Sequence, residues 1–227
     1  MTIFRGFRFK PLHMKDSNIN IVGFSEYEEG LDSVISDLVF DKSFPLGLND
    51  LNSKISFYDI NDNYALIFNE DDDTPDMVKI ENDEDYIPEG EEVVISCLKS
   101  NSHPKQGVMI YKIAYKDKSL VYATDTEGYV GANKKLVLFA RDTDLLIHDA
   151  QYTSEEYLNA YFSKQGYGHS TFDMALETFS QAKAKSLAFF HFDPNYNDEF
   201  LLEIENHYTE NCKNCFIPKE GQEIVLR

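Results

Sequence analysis

Residues 144–198 read DLLIHDAQYTSEEYLNAYFSKQGYGHSTFDMALETFSQAKAKSLAFFHFDPNYND, and this stretch decides the fold. Apolar runs at 144–149 and 186–192 each predict a buried strand. Between them, Thr153 and Glu156 have the spacing of a capping box, which predicts the start of a helix. Strand, helix and strand therefore alternate, which indicates an α/β fold with helices packed on a sheet.

A second helix is predicted between the two strands. Ser170 is the expected N-cap of this helix. Apolar residues follow at a spacing of four, three and three positions, which places them on one helical face: Phe172, Leu176, Phe179 and Ala182. A further helix is expected near Asn197 to Tyr208.

The chain before residue 131 is richer in strands. A strand over 19–23 and a helix over 26–38 come first. Runs at 54–60 and 64–68, separated by Asn61-Asp62-Asn63, predict a β-hairpin. Three further strands and a short helix follow, over 93–98, 107–115, 119–124 and 136–140.

Composition limits the class of protein. The chain has 227 residues, of which 42% are hydrophobic, with 17 Phe and 14 Tyr, so one domain over 1–227 is expected. A net charge of −19 argues against a general nucleic-acid binder, since phosphates attract basic surfaces. No apolar run of the roughly 18–20 residues that span a bilayer is present, and no signal-peptide core. With only three cysteines, we expect a reducing, cytoplasmic compartment.

An acidic segment covers about residues 70–92. It has twelve Asp or Glu residues and one basic residue, Lys79. This composition predicts a solvated, mobile insertion in the domain. A calcium site is the alternative, but DDDTPD lacks the spacing and the distal Glu of a calcium loop.

Histidines and aspartates gather at the ends of predicted strands. His103, Asp125, His148-Asp149 and His191 follow four strands, and His169 stands between Gly168 and a helix start. Asp193 follows shortly after His191. Because ligands often bind at the carboxyl ends of α/β strands, this pattern favours a metal or an acid/base site.

Several blocks of sequence resemble the metallo-β-lactamase-fold hydrolases. They are NSHPKQGVMIYKI (101–113), LVYATDTEGY (120–129) and the stretch quoted first, and FKPLHMKDSNINIVG (9–23) is also similar. The phosphodiesterase and ribonuclease Z branch is the most similar. This resemblance implies an α/β, αββα sandwich and metal-dependent hydrolysis of a phosphodiester or related ester.

The resemblance also implies roles for five residues. His103 would ligate a first metal and His191 a second, with Asp125 bridging the two. Zinc or manganese is the implied cofactor. Asp149 and His169 match the pair found in the branch's His-Glu-Ala-Thr and His-Ser-Thr motifs, with Asp in place of Glu. Asp149 would orient His169, which would stabilise the transition state or protonate the leaving oxygen.

One family motif is missing from this chain. No H-x-H-x-D-H spacing occurs, and by the resemblance of FKPLH (9–13) the motif would end at or before Met1. We therefore expect an N-terminally incomplete fold with two ligands per metal, whereas a catalytic zinc usually has about three protein ligands. Weak metal binding and impaired activity follow. His13 beside the gap could substitute as a ligand.

Three functions remain open at this stage. The first is a hydrolase of a small phosphodiester such as a cyclic nucleotide, because the acidic charge disfavours a long nucleic-acid substrate. The second is a non-catalytic remnant or binding module, and the third is a fragment completed by an upstream-encoded segment. A homo-oligomer is possible, and no membrane partner is expected. Cys212 and Cys215 are expected to be free thiols in a turn, because a structural zinc needs four ligands.

Overall fold

A computed structural model describes residues 14–15, 17–24, 30–39, 51–70, 72–80, 88–104 and 107–226. His13, the first residues of the helix expected over 26–38, and much of the acidic segment (71 and 81–87) lie outside these ranges. In the described part of the chain, no helix is both long and apolar enough to cross a membrane.

Fifteen elements are described. The strands are β1 (Asn18–Gly23), β2 (Lys54–Asp59), β3 (Tyr64–Phe68), β4 (Asp76–Lys79), β5 (Val93–Ser100), β6 (Val108–Tyr115), β7 (Lys118–Ala123), β8 (Leu145–Asp149), β9 (Leu187–Phe190) and β10 (Cys215–Phe216). The helices are α1 (Leu31–Val39), α2 (Lys134–Phe139), α3 (Ser154–Tyr157), α4 (Phe172–Ala182) and α5 (Asp198–Thr209).

Eight strands form one mixed sheet in the order β10-β9-β8-β7-β6-β5-β3-β4. The pairs β7–β8, β8–β9 and β9–β10 are parallel, and each pair is connected through one or two helices. The other half, from β4 to β7, is antiparallel. The sheet therefore combines antiparallel strands from the first half of the chain with β-α-β units from the second, as the sequence predicts.

Helices α2, α4 and α5 cover one face of this sheet. Their apolar residues and those of the strands form the largest core, with Phe172, Leu187 and Phe189 fully buried. The capping box of α3 is present, since the Thr153 side chain accepts from Glu156 N–H and the Glu156 carboxylate accepts from Thr153 N–H. Helix α5 begins after its N-cap Asn197, as predicted.

The opposite face of the large sheet packs on a second, small sheet. Strands β1 and β2 pair in parallel, and Val22 and Tyr58 pack against a core with Leu66 and Cys97. Helix α1 contacts β2. From α1 through the two sheets to α4, the layers follow the α-β-β-α order expected from the resemblance.

The predicted hairpin over 54–68 is wrong. The expected turn is present, because Asn61 accepts from Asn63 N–H through its side chain and from Tyr64 N–H through its carbonyl. However, β2 joins β1 in the small sheet, whereas β3 lies between β4 and β5 in the large one. The turn thus carries the chain from one sheet to the other, because apolar side chains of β2 and β3 pack face to face.

Ser170 does not cap α4. The N-cap is Thr171, whose hydroxyl accepts from Met174 N–H at 3.1 Å. Ser170 is buried, and its hydroxyl donates to the Thr126 carbonyl at 2.6 Å and accepts from Gly128 N–H at 2.9 Å. Its polar groups are thus used to connect two loops rather than to begin the helix.

The prediction of two free thiols at Cys212 and Cys215 is also wrong. The two residues form a disulfide with Cα atoms 5.4 Å apart. A turn in which Cys215 N–H donates to the Cys212 carbonyl brings the two side chains together. Cys97 is the free cysteine, and it is buried in β5.

Part of the acidic segment is regular structure. Strand β4 pairs with β3 at the edge of the large sheet, although most of its side chains are exposed. The sequence analysis did not predict this strand, and the expectation of a solvated, mobile insertion remains a prediction. The limits of the insertion and the extent of a single domain over 1–227 remain predictions.

Candidate metal centre

Four strands of the large sheet end at the same edge. Strands β7, β8 and β9 are parallel, and β5 is parallel to β7 because both are antiparallel to β6 between them. Their carboxyl ends therefore share an edge, which is where ligands commonly bind in α/β sheets. At or shortly after these strand ends are four predicted site residues: His103, Asp125, Asp149 and His191.

The five predicted site residues converge at this edge. Possible ligand atoms of His103, Asp125 and His169 all lie within 4.8 Å of one another, and the same holds for Asp149, His169 and His191. Asp125 and His191 link the two groups, since Oδ1 and Nε2 are 3.5 Å apart. The rings of His169 and His191 stack with centroids 5.0 Å apart. Residues 88 positions apart in sequence thus form one cluster.

Asp125 and His191 have unusual backbone conformations. Their φ angles are 54° and 63°, in the left-handed region that non-glycine residues rarely adopt. Such conformations cost free energy and cluster at functional sites, where the surrounding structure holds them. Both residues turn the chain sharply just after a strand, and this turn brings their side chains to the shared edge.

Asp149 is buried and uses both of its carboxylate oxygens. Oδ2 accepts from His169 Nδ1 at 2.9 Å. Oδ1 accepts from the N–H groups of Ser170, at 2.9 Å, and Gln151, at 3.3 Å. Because a carboxylate only accepts, Nδ1 of His169 carries a proton and Nε2 is the atom left for other partners. Asp149 is thus placed to orient His169.

The surroundings of His169 favour its protonated form. Burial lowers the pKa of His169, but the hydrogen bond and charge of Asp149 outweigh this effect, helped by the charges of Asp125 and Glu127. The pKa of His169 therefore lies above its usual value. An imidazole with a raised pKa can donate a proton near neutral pH.

Two other strand-end residues do not join the cluster. His148 is fully buried, and its Nδ1–H donates to the Asp149 carbonyl at 2.7 Å. Burial lowers the pKa of His148, so the ring is neutral. Asp193 accepts from the backbone and side chain of Asn195, which makes it a turn residue.

Glu127 is a site residue that the sequence reasoning missed. Its carboxylate accepts from Gly166 N–H at 2.7 Å, Gly168 N–H at 3.0 Å and the Tyr157 hydroxyl at 2.6 Å. It therefore fixes the loop that leads to His169. Its position two residues after Asp125, in the same strand-end loop, is the signal that could have identified it.

Gly168 allows this loop to approach His103. Its φ is 90°, and a Cβ added there would lie 2.6 Å from Cδ2 of His103 and also overlap Pro104. No side chain larger than hydrogen fits without displacing the His103 segment. Glycine at this position therefore lets the loop that carries His169 pack against the His103 segment.

The donor set suits a divalent transition metal. Imidazole nitrogens and carboxylate oxygens are the ligands that zinc and manganese sites use. Possible ligand atoms of His103 and Asp125 lie within 4.8 Å of each other, and those of Asp125 and His191 are 3.5 Å apart. His169 belongs to both groups of possible ligands. Because Nδ1 of His169 donates to Asp149, this histidine has one nitrogen left, either for a metal or for a substrate.

Comparison with protein families gives a match over much of this chain. Residues 57–192 match the family described as the β-lactamase superfamily domain. The matched range is more than half of the chain, and it includes all five predicted site residues, from His103 to His191.

Curated relatives of the chain are named ribonuclease Z. The protein from Pyrococcus furiosus is 34% identical over 108 residues, which are 47% of this chain and 31% of that protein. The protein from Sulfurisphaera tokodaii is 27% identical over 208 residues, which are 86% of this chain and 66% of that protein. The chain thus spans about a third of the length of the first relative and about two thirds of the second.

Solved structures have the same fold. Human tRNase Z, short form, matches with a TM-score of 0.57 and 17% identity, over 93% of this chain and 68% of that one. Zn²⁺-bound PqqB from Methylobacterium extorquens matches with a TM-score of 0.55 and 12% identity, over 95% of this chain and 68% of that one. The chain therefore belongs to the metallo-β-lactamase superfamily, in the branch whose relatives are ribonuclease Z and phosphodiesterase-like proteins.

Proposed function

We propose that this chain is a metal-dependent hydrolase that acts on phosphodiester bonds. The observation that carries the proposal is the convergence of His103, Asp125, His169 and His191 at one sheet edge, with Asp149 buried beneath His169. Membership of the metallo-β-lactamase superfamily and the ribonuclease Z relatives support the same reaction class.

His103, Asp125 and His191 would hold the metal. When bound, a divalent ion supplies Lewis-acid polarisation of the phosphoryl group and makes water a nucleophile near neutral pH. Zinc and manganese are the candidates, because both accept imidazole and carboxylate ligands. The left-handed backbones of Asp125 and His191 support this assignment, because they direct both side chains to the same edge of the sheet.

Asp149 and His169 would assist the leaving group. The Asp149 carboxylate holds the proton on Nδ1 of His169 and stabilises the imidazolium. Nε2 can then donate a proton to the oxygen that leaves as the phosphodiester breaks. Asp149 accepts three hydrogen bonds, which hold its carboxylate in place beneath His169.

The number of ligands makes metal binding weak. If Asp125 bridges two ions, the predicted roles give each ion one histidine and one shared carboxylate. Catalytic zinc sites usually have about three protein ligands. We therefore expect the 227-residue chain to bind zinc or manganese substoichiometrically and to turn over slowly.

The substrate is either a small phosphodiester or RNA. The net charge of −19 disfavours a long polyanion and supports a small substrate. The relatives are named ribonuclease Z, which weighs against the expectation that the charge of the chain disfavours nucleic acid. Cyclic nucleotides and short RNAs are therefore both substrates to test.

Hydrolysis of bis(p-nitrophenyl) phosphate with added Zn²⁺ or Mn²⁺ tests the proposal. We expect low turnover that depends on the metal and disappears with EDTA. Adding a segment with an H-x-H-x-D-H motif, fused or in trans, should raise metal affinity and turnover together. Asp125→Ala should abolish the metal binding, because Asp125 is the residue assigned as a ligand of both ions.

His169→Ala separates catalysis from metal binding. This variant should keep the metal affinity and lose roughly 10²–10⁴-fold in turnover, the range for a missing general acid or base. His207→Ala, a surface histidine of α5, is the matched control and should behave like the unchanged chain. Metal binding with no turnover under any of these conditions would favour the alternative, a non-catalytic binding module.

A further inference from the structure

The loop between α3 and α4 exposes large aromatic side chains. Tyr161 is 99% exposed, Phe162 63% and Tyr167 46%. Aromatic rings usually lose most of their surface to the core, and a group of exposed rings marks a binding surface. We refer to residues 158–167 as the aromatic loop.

Lys164 lies at the centre of the aromatic loop. Its Nζ is 4.8 Å from the ring centroid of Phe162 and 5.5 Å from those of Tyr167 and Tyr152. Cation–π contacts of this kind fix the position of an ammonium group without neutralising it. Among the described residues, no carboxylate forms an ion pair with Lys164, whereas Lys116 and Lys185 both have such partners.

The aromatic loop adjoins the candidate metal centre. Tyr152 contacts Lys164 on one side, and its ring centroid lies 6.2 Å from that of His169. Tyr152 N–H also donates to the Ser170 carbonyl at 3.2 Å. One aromatic ring thus separates the Lys164 ammonium from the residue proposed to protonate the leaving group.

Hydrogen bonds to Tyr157 and Glu127 fix the base of the aromatic loop. Lys164 N–H donates to the Tyr157 carbonyl, and the hydroxyl of Tyr157 donates to buried Glu127. Gly166 and Gly168 also donate to Glu127. The exposed rings therefore stand on a fixed base beside the site.

We propose that the aromatic loop binds the nucleotide portion of the substrate. Lys164 contacts a phosphate oxygen, and the exposed rings of Tyr161 and Phe162 stack with a base. Every nucleobase has a π face, and groups that combine aromatic rings with a cation bind nucleotides in this way. The assignment rests on the proposed phosphodiester hydrolysis, and it supplies a local cation in a chain of net charge −19.

Calorimetric titration of the whole chain in EDTA tests the binding site without metal or turnover. The two probes are AMP and ribose 5-phosphate, which share a phosphate and differ in the base. We expect AMP to bind about tenfold more tightly, which is the contribution of one stacked base. Lys164→Met should lower the affinity for both probes about tenfold. Lys164→Arg should retain the affinity for both.

Two further variants assign the parts of the site. Tyr161→Ala combined with Phe162→Ala should remove the preference for AMP. The affinity for ribose 5-phosphate should fall less than that for AMP, because this probe loses only the contact of Phe162 with Lys164. Lys213→Met is the matched control, because Lys213 is exposed in the C-terminal turn next to the amino end of β9, opposite the site. It should bind both probes like the unchanged chain.

A third probe distinguishes a free nucleotide from an RNA chain. If a uridine tetranucleotide binds more tightly than UMP, and Lys164→Met weakens both, the aromatic loop serves an RNA chain. Equal affinities with the same dependence on Lys164 indicate a mononucleotide ester. Nucleotide affinities that change in neither Lys164→Met nor the double aromatic variant would overturn the assignment.

The two proposals can fail separately. Metal-dependent hydrolysis combined with AMP binding that is insensitive to Lys164 would overturn the aromatic loop assignment alone. AMP binding that depends on Lys164, in a chain that hydrolyses no phosphodiester with any metal, would overturn the proposed hydrolysis.

Discussion

Asp125, His191 and Gly168 all have positive φ angles, and all three lie at the candidate metal centre. Two of these residues bring a ligand to the site, and the third makes room for His103. An ordinary extended or helical backbone at any of them would direct the chain elsewhere. Backbone strain at single residues is therefore part of how the site is built.

Gly168→Ala should weaken the metal site. The new Cβ would overlap the side chains of Pro104 and His103, so the His103 segment must move. We expect weaker zinc affinity and a loss of stability larger than the roughly 1–2 kcal/mol that a left-handed alanine costs by itself. Zinc titration and urea unfolding measure the two effects.

Gly166→Ala is the matched control for this substitution. Gly166 has a φ of 80°, close to that of Gly168, but nothing lies within 4 Å of its added Cβ. Gly166→Ala should lose only the roughly 1–2 kcal/mol of stability that a left-handed alanine costs, and it should keep the metal affinity. Equal zinc affinities in the two variants would show that the approach of Gly168 to His103 does not matter.

At the scale of elements, the site depends on strands β5, β7 and β8 being parallel, so that their loops meet. Asp144, just before β8, connects β7 and the segment that precedes β9 at the opposite edge of the sheet. Its carboxylate accepts from Ser119 N–H of β7 and from Lys185 Nζ, both at 2.8 Å. Burial raises the pKa of Asp144, but these hydrogen bonds and the charges of Lys185 and Lys118 outweigh that effect and lower it.

Asp144→Asn should destabilise the fold in a pH-dependent way. Because the folded pKa lies below the ordinary value of 3.8, the stabilisation is fully present above that value. It is lost as the pH falls through the folded pKa. We expect a loss of about 1–3 kcal/mol at pH 7, measured by urea unfolding, that shrinks below about pH 4.

Glu223→Gln is the control for the Asp144 substitution, since Glu223 is exposed near the C-terminus. It should change stability little at either pH. A difference between Asp144→Asn and the unchanged chain that stays constant from pH 7 to pH 3 would contradict the assigned role of this carboxylate.

Local sequence signals predicted the positions of helices and strands better than they predicted which strands pair in a sheet. The capping box at Thr153 and the strands that carry the site residues are as predicted, because propensity and periodicity act within a few residues. The hairpin prediction failed because the turn at Asn61 is compatible with either sheet, and packing decides which strand pairs with which. The Cys212–Cys215 bond depends on a turn whose geometry two cysteines and a spacing do not specify.

The same limit applies to the candidate site. The positions of His103 and His191 after strands could be predicted from the apolar runs before them, whereas their roles as metal ligands remain predictions. The position of Glu127 after Asp125 marks it as a candidate, but its role and that of Lys164 could not be predicted, because they come from contacts with backbone amides and a ring that are distant in sequence. Short-range patterns contain no information about such contacts.

At the scale of the whole molecule, charge and topology act together. The net charge of −19 attracts cations and repels polyanions, while the sheet brings three histidines and two carboxylates to one edge. A metal ion there would offset the local negative charge and allow an anionic substrate to approach. The central claim is therefore that this cluster, and no other group of histidines, binds the metal.

Side-chain NMR of the ¹⁵N-histidine-labelled chain during a Zn²⁺ titration tests this claim most directly, because it detects weak binding at each ring. Signals can be assigned with single His→Gln variants. The account predicts that the ring signals of His103 and His191 shift with zinc, while those of buried His148 and of His207 on α5 do not. Unchanged His103 and His191 signals, or shifts confined to His207, would contradict it.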